Sequence, residues 1–148
     1  MTSAGLSSYA AACALLMKET GDRGDPERGG GRNIWGHDPG KPFEGAGEVT
    51  EANYAEYVAQ RDATDPPSCQ GCGPVQLTAK VWQDEADALG GCWDPLSNMI
   101  VGFRIIARYR ASGLTWHGCW LRYSGGKEDY ADDMDARFIH WQGLLNPA

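Results

Sequence analysis

With 148 residues and a net charge of −7, the chain has room for one ordinary hydrophobic core, and its charge disfavours nucleic acid or an anionic membrane as partner. A hydrophobic share of 42% that includes six tryptophans excludes a disordered chain, and no apolar run reaches membrane-spanning length. Met1 to Leu6 lack the basic start and apolar stretch of a secretion signal, so cytoplasmic synthesis is expected.

The first predicted element is a helix over residues 3–20, with Leu6, Tyr9, Cys13, Leu16 and Met17 at helical spacing in an alanine-rich background. Glu19 lies beside this stripe in the last turn, and Gly21, Gly24, Asp25-Pro26 and Gly29-Gly30-Gly31 prevent continuation. A carboxyl at the edge of a buried face is partly desolvated, which raises its pKa toward what a general acid needs near neutrality. The plain alternative is a solvated glutamate.

Residues 22–48 read as a long loop or small hairpin region, uncommon in a compact domain unless it is functional. It holds the acids Asp22, Asp25, Glu27, Asp38, Glu44 and Glu48, and one aromatic island around Trp35. Thr50 fits an N-cap for a helix to about Gln60 with Tyr54, Tyr57 and Val58 inward. After a loop over residues 61–68 comes Gln70-Gly71-Cys72-Gly73-Pro74-Val75-Gln76-Leu77-Thr78. Glycines and proline fix a close-approach backbone there, and Gln and Thr offer hydrogen bonds, which makes this stretch a candidate floor for a binding cleft. A simple turn before a helix is the plainer reading.

A helix over Thr78 to Leu89 places Val81, Trp82, Ala86 and Leu89 inward and stops at Gly90-Gly91. Asp94-Pro95 starts a longer one to Ala111, apolar almost all round and so expected at the centre of the core, with a close helix contact offsetting Gly102. Shorter and longer helices follow over Thr115 to Arg122 and Glu128 to Leu145, the latter with Tyr130, Met134, Phe138, Trp141 and Leu145 as its stripe. Trp82, Trp116, Trp120 and Trp141 sit at core spacings, whereas Trp35, in a loop, is the best candidate for stacking on a ligand.

Five cysteines, an odd number, argue against a disulfide framework and for buried or free thiols. Cys69, Cys72, Cys92 and Cys119 as a zinc set, or Cys72 as the nucleophile of a cysteine amidase or peptidase, remain alternatives. His37, His117 and His140 show no metal-ligand spacing, so neither metal nor cofactor is expected.

Glu19-Thr20-Gly21, then Gly73-Pro74-Val75-Gln76-Leu77-Thr78, then Gly102-Phe103, then Tyr123-Ser124-Gly125-Gly126 resemble the ordered motifs of lysozyme-like glycan hydrolases. The Gly-Pro-x-Gln-Leu-Thr segment is most similar to family-19 chitinases and phage endolysins, and the Glu, Gln, Tyr order to goose-type lysozymes and soluble lytic transglycosylases. Trp35-Gly36-His37-Asp38, Gly45-Ala46-Gly47 and Gly90-Gly91-Cys92-Trp93-Asp94-Pro95 resemble the central muralytic domain of mycobacteriophage endolysins.

The resemblance implies an α+β, mainly α, lysozyme-like fold spanning residues 1–148 as one catalytic domain, with a small β-hairpin or irregular lobe beside a helical core. By the same likeness Glu19 matches the catalytic acid, Gln76 a sugar-binding residue, Thr78 the residue that positions the attacking water, and Tyr123 the aromatic of the Tyr-Asn-x-Gly motif. Ser124 stands where that motif has Asn, at a substrate-binding position. Endolysin spacing selects Glu27 or Asp25 as second carboxylate, with Glu27 preferred; plant-type spacing selects Glu44 or Glu48. The implied activity is hydrolysis of peptidoglycan glycan strands. Lytic transglycosylation, a chitinase-like hydrolase and an inactive glycan-binding module are the alternatives. A monomer is expected, made in the host cytoplasm and acting on the wall after release, with peptidase or wall-binding domains in a longer parent chain.

Overall fold

A computed structural model describes residues 3–21 and 29–146, with the backbone alone for residues 3–6. Among the described residues are six helices: α1 Ser3–Thr20, α2 Glu51–Asp62, α3 Lys80–Asp87, α4 Pro95–Ala111, α5 Trp116–Tyr123 and α6 Glu128–Leu145. The protein is therefore mainly helical, as the periodicities require. None of these helices is long and apolar enough to cross a membrane.

Helix starts follow the capping residues. Thr50 accepts from the Asn53 amide N–H while Asn53 Oδ1 accepts from Thr50 N–H at 2.8 Å, a closed capping box for α2. Asp94 accepts from the Ser97 N–H at 2.8 Å and its hydroxyl at 2.7 Å, and these bonds hold the Asp94 carboxyl below its ordinary range. Thr115 caps α5 through the Gly118 N–H. By contrast α3 starts two residues later than expected: Ala79 is its N-cap, extended and without a side-chain cap, and the Thr78 hydroxyl donates back to Gln76 O.

The chain divides into two compact units, residues Gly31–Gly102 and residues Met1–Gly30 with Phe103–Ala148, the division falling inside α4. In the first, an aromatic cluster forms the centre. Trp35 stacks on Phe43 with ring centroids 4.7 Å apart and meets the Tyr57 ring edge-on at 5.0 Å, beside Tyr54. The expected hairpin reduces to isolated antiparallel bridges, Ile34 with Glu48, Trp35 with Cys72 and Cys72 with Leu77. Glycines at positive φ (Gly40, Gly45, Gly47) turn the backbone too often for a ladder to extend.

In the second unit α6 packs against both α1 and α5. Alanines 10, 11 and 14, with Leu15 and Met17, form the buried side of α1, and Trp116, Trp120 and Phe138 cluster between α5 and α6. Close packing by small residues turns the helix, so Tyr9, expected inward, is 58% exposed.

Two other faces differ from their periodicity. In α3 the inward residues are Gln83 and Ala86, while Val81 and Leu89 are exposed; at about 100° per residue they fall on the opposite side from Gln83. Nor is α4 buried all round: Ser97, Asn98, Val101, Gly102, Ile105 and Ile106 face inward, and Leu96, Arg104, Ala107 and Arg108 are exposed.

Candidate functional site

At the end of α1 the Thr20 hydroxyl donates back to Leu16 O, and the Gly21 N–H donates to Met17 O. A Cβ at Gly21 would collide with that carbonyl, so only glycine ends the helix here. Glu19 is thereby held in the final turn. It keeps part of its surface in solvent while its carboxyl group is enclosed and accepts a hydrogen bond from the Tyr130 hydroxyl of α6.

Desolvation dominates the Glu19 carboxyl and pushes its pKa up to about 7; the Tyr130 hydrogen bond and the charges of Lys18 and Lys127 act the other way. Burial also drives the Tyr130 phenol well above its usual value, with Glu19 and Tyr123 adding to the effect. Tyr123 thus belongs to the same electrostatic neighbourhood. Behind it, Lys18 lies 4.9 Å above the Tyr130 ring and bonds Asp133 at 2.6 Å, and Arg137 Nε bonds the same carboxylate at 2.9 Å. Burial works to raise Asp133, but these two cations overcome it and hold the carboxylate below its ordinary range. The result is an acid that is about half protonated at neutral pH, on a rigid support.

In the other unit, the glycine-rich stretch is shaped by buried amides. Asn98 of α4 accepts from the Val75 N–H at 3.1 Å and donates to Cys72 O at 3.0 Å, and it fills the space a side chain at Gly73 would need. Gln83 of α3 donates to Gln70 O and Leu77 O, both at 2.8 Å. Tyr57 receives the Gln70 N–H at 2.8 Å. Val75 packs on Gly102, so the close contact that requires a glycine inside α4 comes from this stretch and not from another helix.

Within that frame Gln76 has φ +52°, a left-handed conformation for a residue with a side chain, which a turn must enforce. Its amide nitrogen donates to Ile34 O at 3.0 Å and Gly73 O at 2.9 Å. Both amide hydrogens are used, which fixes the amide orientation and leaves Oε1 as an acceptor. That oxygen faces a notch over Gly36 and Gly71. A Cβ at Gly71 would lie 2.9 Å from Gln76 Oε1, 3.3 Å from Thr78 Oγ1 and 3.4 Å from Asp38 Oδ2. Asp38 is anchored by the Gly71 N–H at 2.7 Å. Three acceptor oxygens thus surround a gap that only glycine leaves open, and a ligand supplying hydroxyl or amide hydrogens matches them.

The structure therefore gathers Gln76 and Thr78 in one unit, and Glu19 and Tyr123 in the other. Glu27 lies outside the described residues. One expectation is corrected. Trp35 is 1% exposed, enclosed by Phe43, Tyr54 and Tyr57, so it is a core residue and presents no face for a sugar. The Ser124 hydroxyl donates to Leu121 O and accepts from the Lys127 N–H, closing the turn between α5 and α6.

Sequence reasoning treated Tyr130 as part of an apolar stripe and overlooked Asn98. A tyrosine in a buried stripe signals a polar partner nearby, which was the available clue to Tyr130. All five cysteines are free, and Cys119 lies in a different unit from the other three once grouped with it as a zinc set. Compared with family models, curated proteins and solved structures, the chain matches none of them.

Proposed function

We propose that this chain is a lysozyme-like muralytic domain that cleaves glycosidic bonds in bacterial peptidoglycan, with Glu19 as the general acid. The observation that carries the reading is the Glu19 carboxyl itself, enclosed at a helix end, bonded to Tyr130 and titrating at about 7. Protonating a leaving glycosidic oxygen needs a carboxylic acid that survives at neutral pH, and burial is how proteins provide one. Tyr130 holds the carboxyl in one orientation, and the Lys18, Asp133 and Arg137 network holds the surrounding groups of α1 and α6.

Hydrolysis requires in addition a group that activates water, whereas a transglycosylase needs the acid alone because the sugar's own 6-hydroxyl is the nucleophile. The likeness of Thr78 to a water-positioning residue favours hydrolysis. Asp38 is the described acid that shares a gap with Thr78 and Gln76, the residues assigned to water and sugar by resemblance. The second carboxylate role stays with Glu27, the residue that the resemblance selects. The acidic net charge suits a catalytic module that relies on other domains for attachment to anionic walls.

The test is mass spectrometry of soluble fragments released from purified peptidoglycan by wild type, Glu19→Gln and Glu27→Gln. Reducing-end sugars lost by roughly 100-fold or more in Glu19→Gln are expected for removal of a general acid. Anhydromuramyl ends, with Glu27→Gln fully active, would replace hydrolysis by transglycosylation. Fragments released equally by Glu19→Gln would refute the glycosidase reading.

A further inference from the structure

Cys72 and Cys92 are both fully buried, and their sulfurs lie 3.3 Å apart, although neither is bonded to the other. Their backbones are tied to a common anchor. The Asn98 side-chain nitrogen reaches Cys72 O at 3.0 Å, Cys92 O at 3.4 Å and Cys92 Sγ at 3.3 Å. Gln83 Nε2 lies 3.9 Å from the Cys72 sulfur, and the Cys92 N–H donates to Asp87 at 2.8 Å. A disulfide would bring the two sulfurs from 3.3 Å to a bonded length of about 2.05 Å.

We propose that Cys72 and Cys92 form an oxidation site, a thiol pair that closes to a disulfide in an oxidising compartment and ties the glycine-rich stretch to the segment entering α4. The co-reactant is a small-molecule disulfide or a thiol–disulfide oxidoreductase. One thiolate attacks the external disulfide and expels one thiolate; the second cysteine then attacks the mixed disulfide and expels the other. Two protons leave the protein, its two sulfurs are oxidised, and the external disulfide is reduced to two thiols. Burial of both sulfurs makes the exchange proceed from an opened form of the loop. A reducing cytoplasm leaves the pair as thiols, whereas an envelope or extracellular setting closes it.

The bond spans residues 72 to 92, a loop of the size for which cross-linking stabilises a chain mainly by restricting its unfolded state. It also fixes the stretch that carries Gln76 and Thr78. Cys69 competes for Cys72 in sequence, but no hydrogen bond joins those two sulfurs among the contacts of the described residues, and Cys92 is the neighbour that touches. The inference stands on sulfur geometry and does not depend on the proposed glycosidase activity.

The test is incubation of the reduced full chain with oxidised glutathione at mildly denaturing urea, followed by non-reducing intact mass and peptide mapping. Cys69 and Cys72 share one tryptic peptide, between Arg61 and Lys80, so wild type is mapped beside Cys69→Ser. Expected are the loss of two hydrogens, a peptide joining residues 72 and 92 in both proteins, and a reductant-reversible rise of several degrees in the thermal midpoint. Cys72→Ser is expected to lose all three signals. A Cys69–Cys72 link in wild type, or five thiols that all remain alkylatable after oxidation, would overturn it.

Discussion

Replacing Glu19 by Gln separates the stability of this protein from its chemistry. In the unfolded chain the carboxyl titrates near 4.5, and in the folded protein at about 7. Folding therefore favours the protonated form: the stability this group contributes is complete below about 4.5 and is lost as pH rises through about 7. The full difference corresponds to roughly 3 kcal/mol. Glu19 keeps some solvent contact, which screens its charge, so about 2 kcal/mol is the expected size. Gln cannot ionise, and its side-chain oxygen still accepts from Tyr130. Glu19→Gln is thus expected to gain about 2 kcal/mol over wild type between pH 4.5 and pH 8, a rise of about 4–8 °C in relative midpoint for a chain of this length. Urea unfolding followed by tryptophan fluorescence at both pH values reads it directly. His117, bonded to Asp135 and Glu128, also has a raised pKa and loses its stabilisation over overlapping pH, but it is present in both proteins and cancels in the difference. An equal stability difference at pH 4.5 and pH 8 would refute the enclosed-acid reading.

Tyr130→Phe removes the hydrogen bond that favours ionised Glu19, so the alkaline limb of the pH–rate profile is expected to move to higher pH; a limb that stays in place or moves to lower pH would show that Tyr130 does not tune this carboxyl. Gly71→Ala pushes a methyl group into the notch between Gln76, Thr78 and Asp38, and is expected to lower peptidoglycan turnover by roughly 10-fold or more and to cost about 1–3 kcal/mol of stability, because the hydrogen-bonded Gln76 amide and Asp38 carboxylate must shift to admit it. Activity assays beside urea titrations separate the two effects. Gly102→Ala would ordinarily strengthen a helix by about 1 kcal/mol. Here the new methyl collides with Val75, so a net loss of roughly 1–3 kcal/mol is expected from urea unfolding.

What the sequence made legible, and what it hid, divides by physical range. Helix positions and caps are local: Thr50, Asp94-Pro95 and Thr115 act through backbone groups within a few residues, so their chemistry can be read along the chain. The break after Glu19 is local for the same reason, because Gly21 alone fits against the Met17 carbonyl. Which side of a helix faces inward is decided by partners far away in sequence. Gln83 displaces Val81 from the interior because the carbonyls of Gln70 and Leu77 need donors, and an unmet carbonyl there would cost about 1–3 kcal/mol. Trp35 sits among glycines and polar residues that mark an exposed loop, but Tyr54 and Tyr57 arrive from α2 and enclose it. Tyr130 and Asp38 belong to the same class, since their importance comes from Glu19 and Gly71, which lie 111 and 33 residues away. In this chain the residues proposed for chemistry are legible as types and the residues that orient them are not. Orientation is a long-range property: the amide of Gln76 points its oxygen at the notch only because Ile34 and Gly73 take both of its hydrogens.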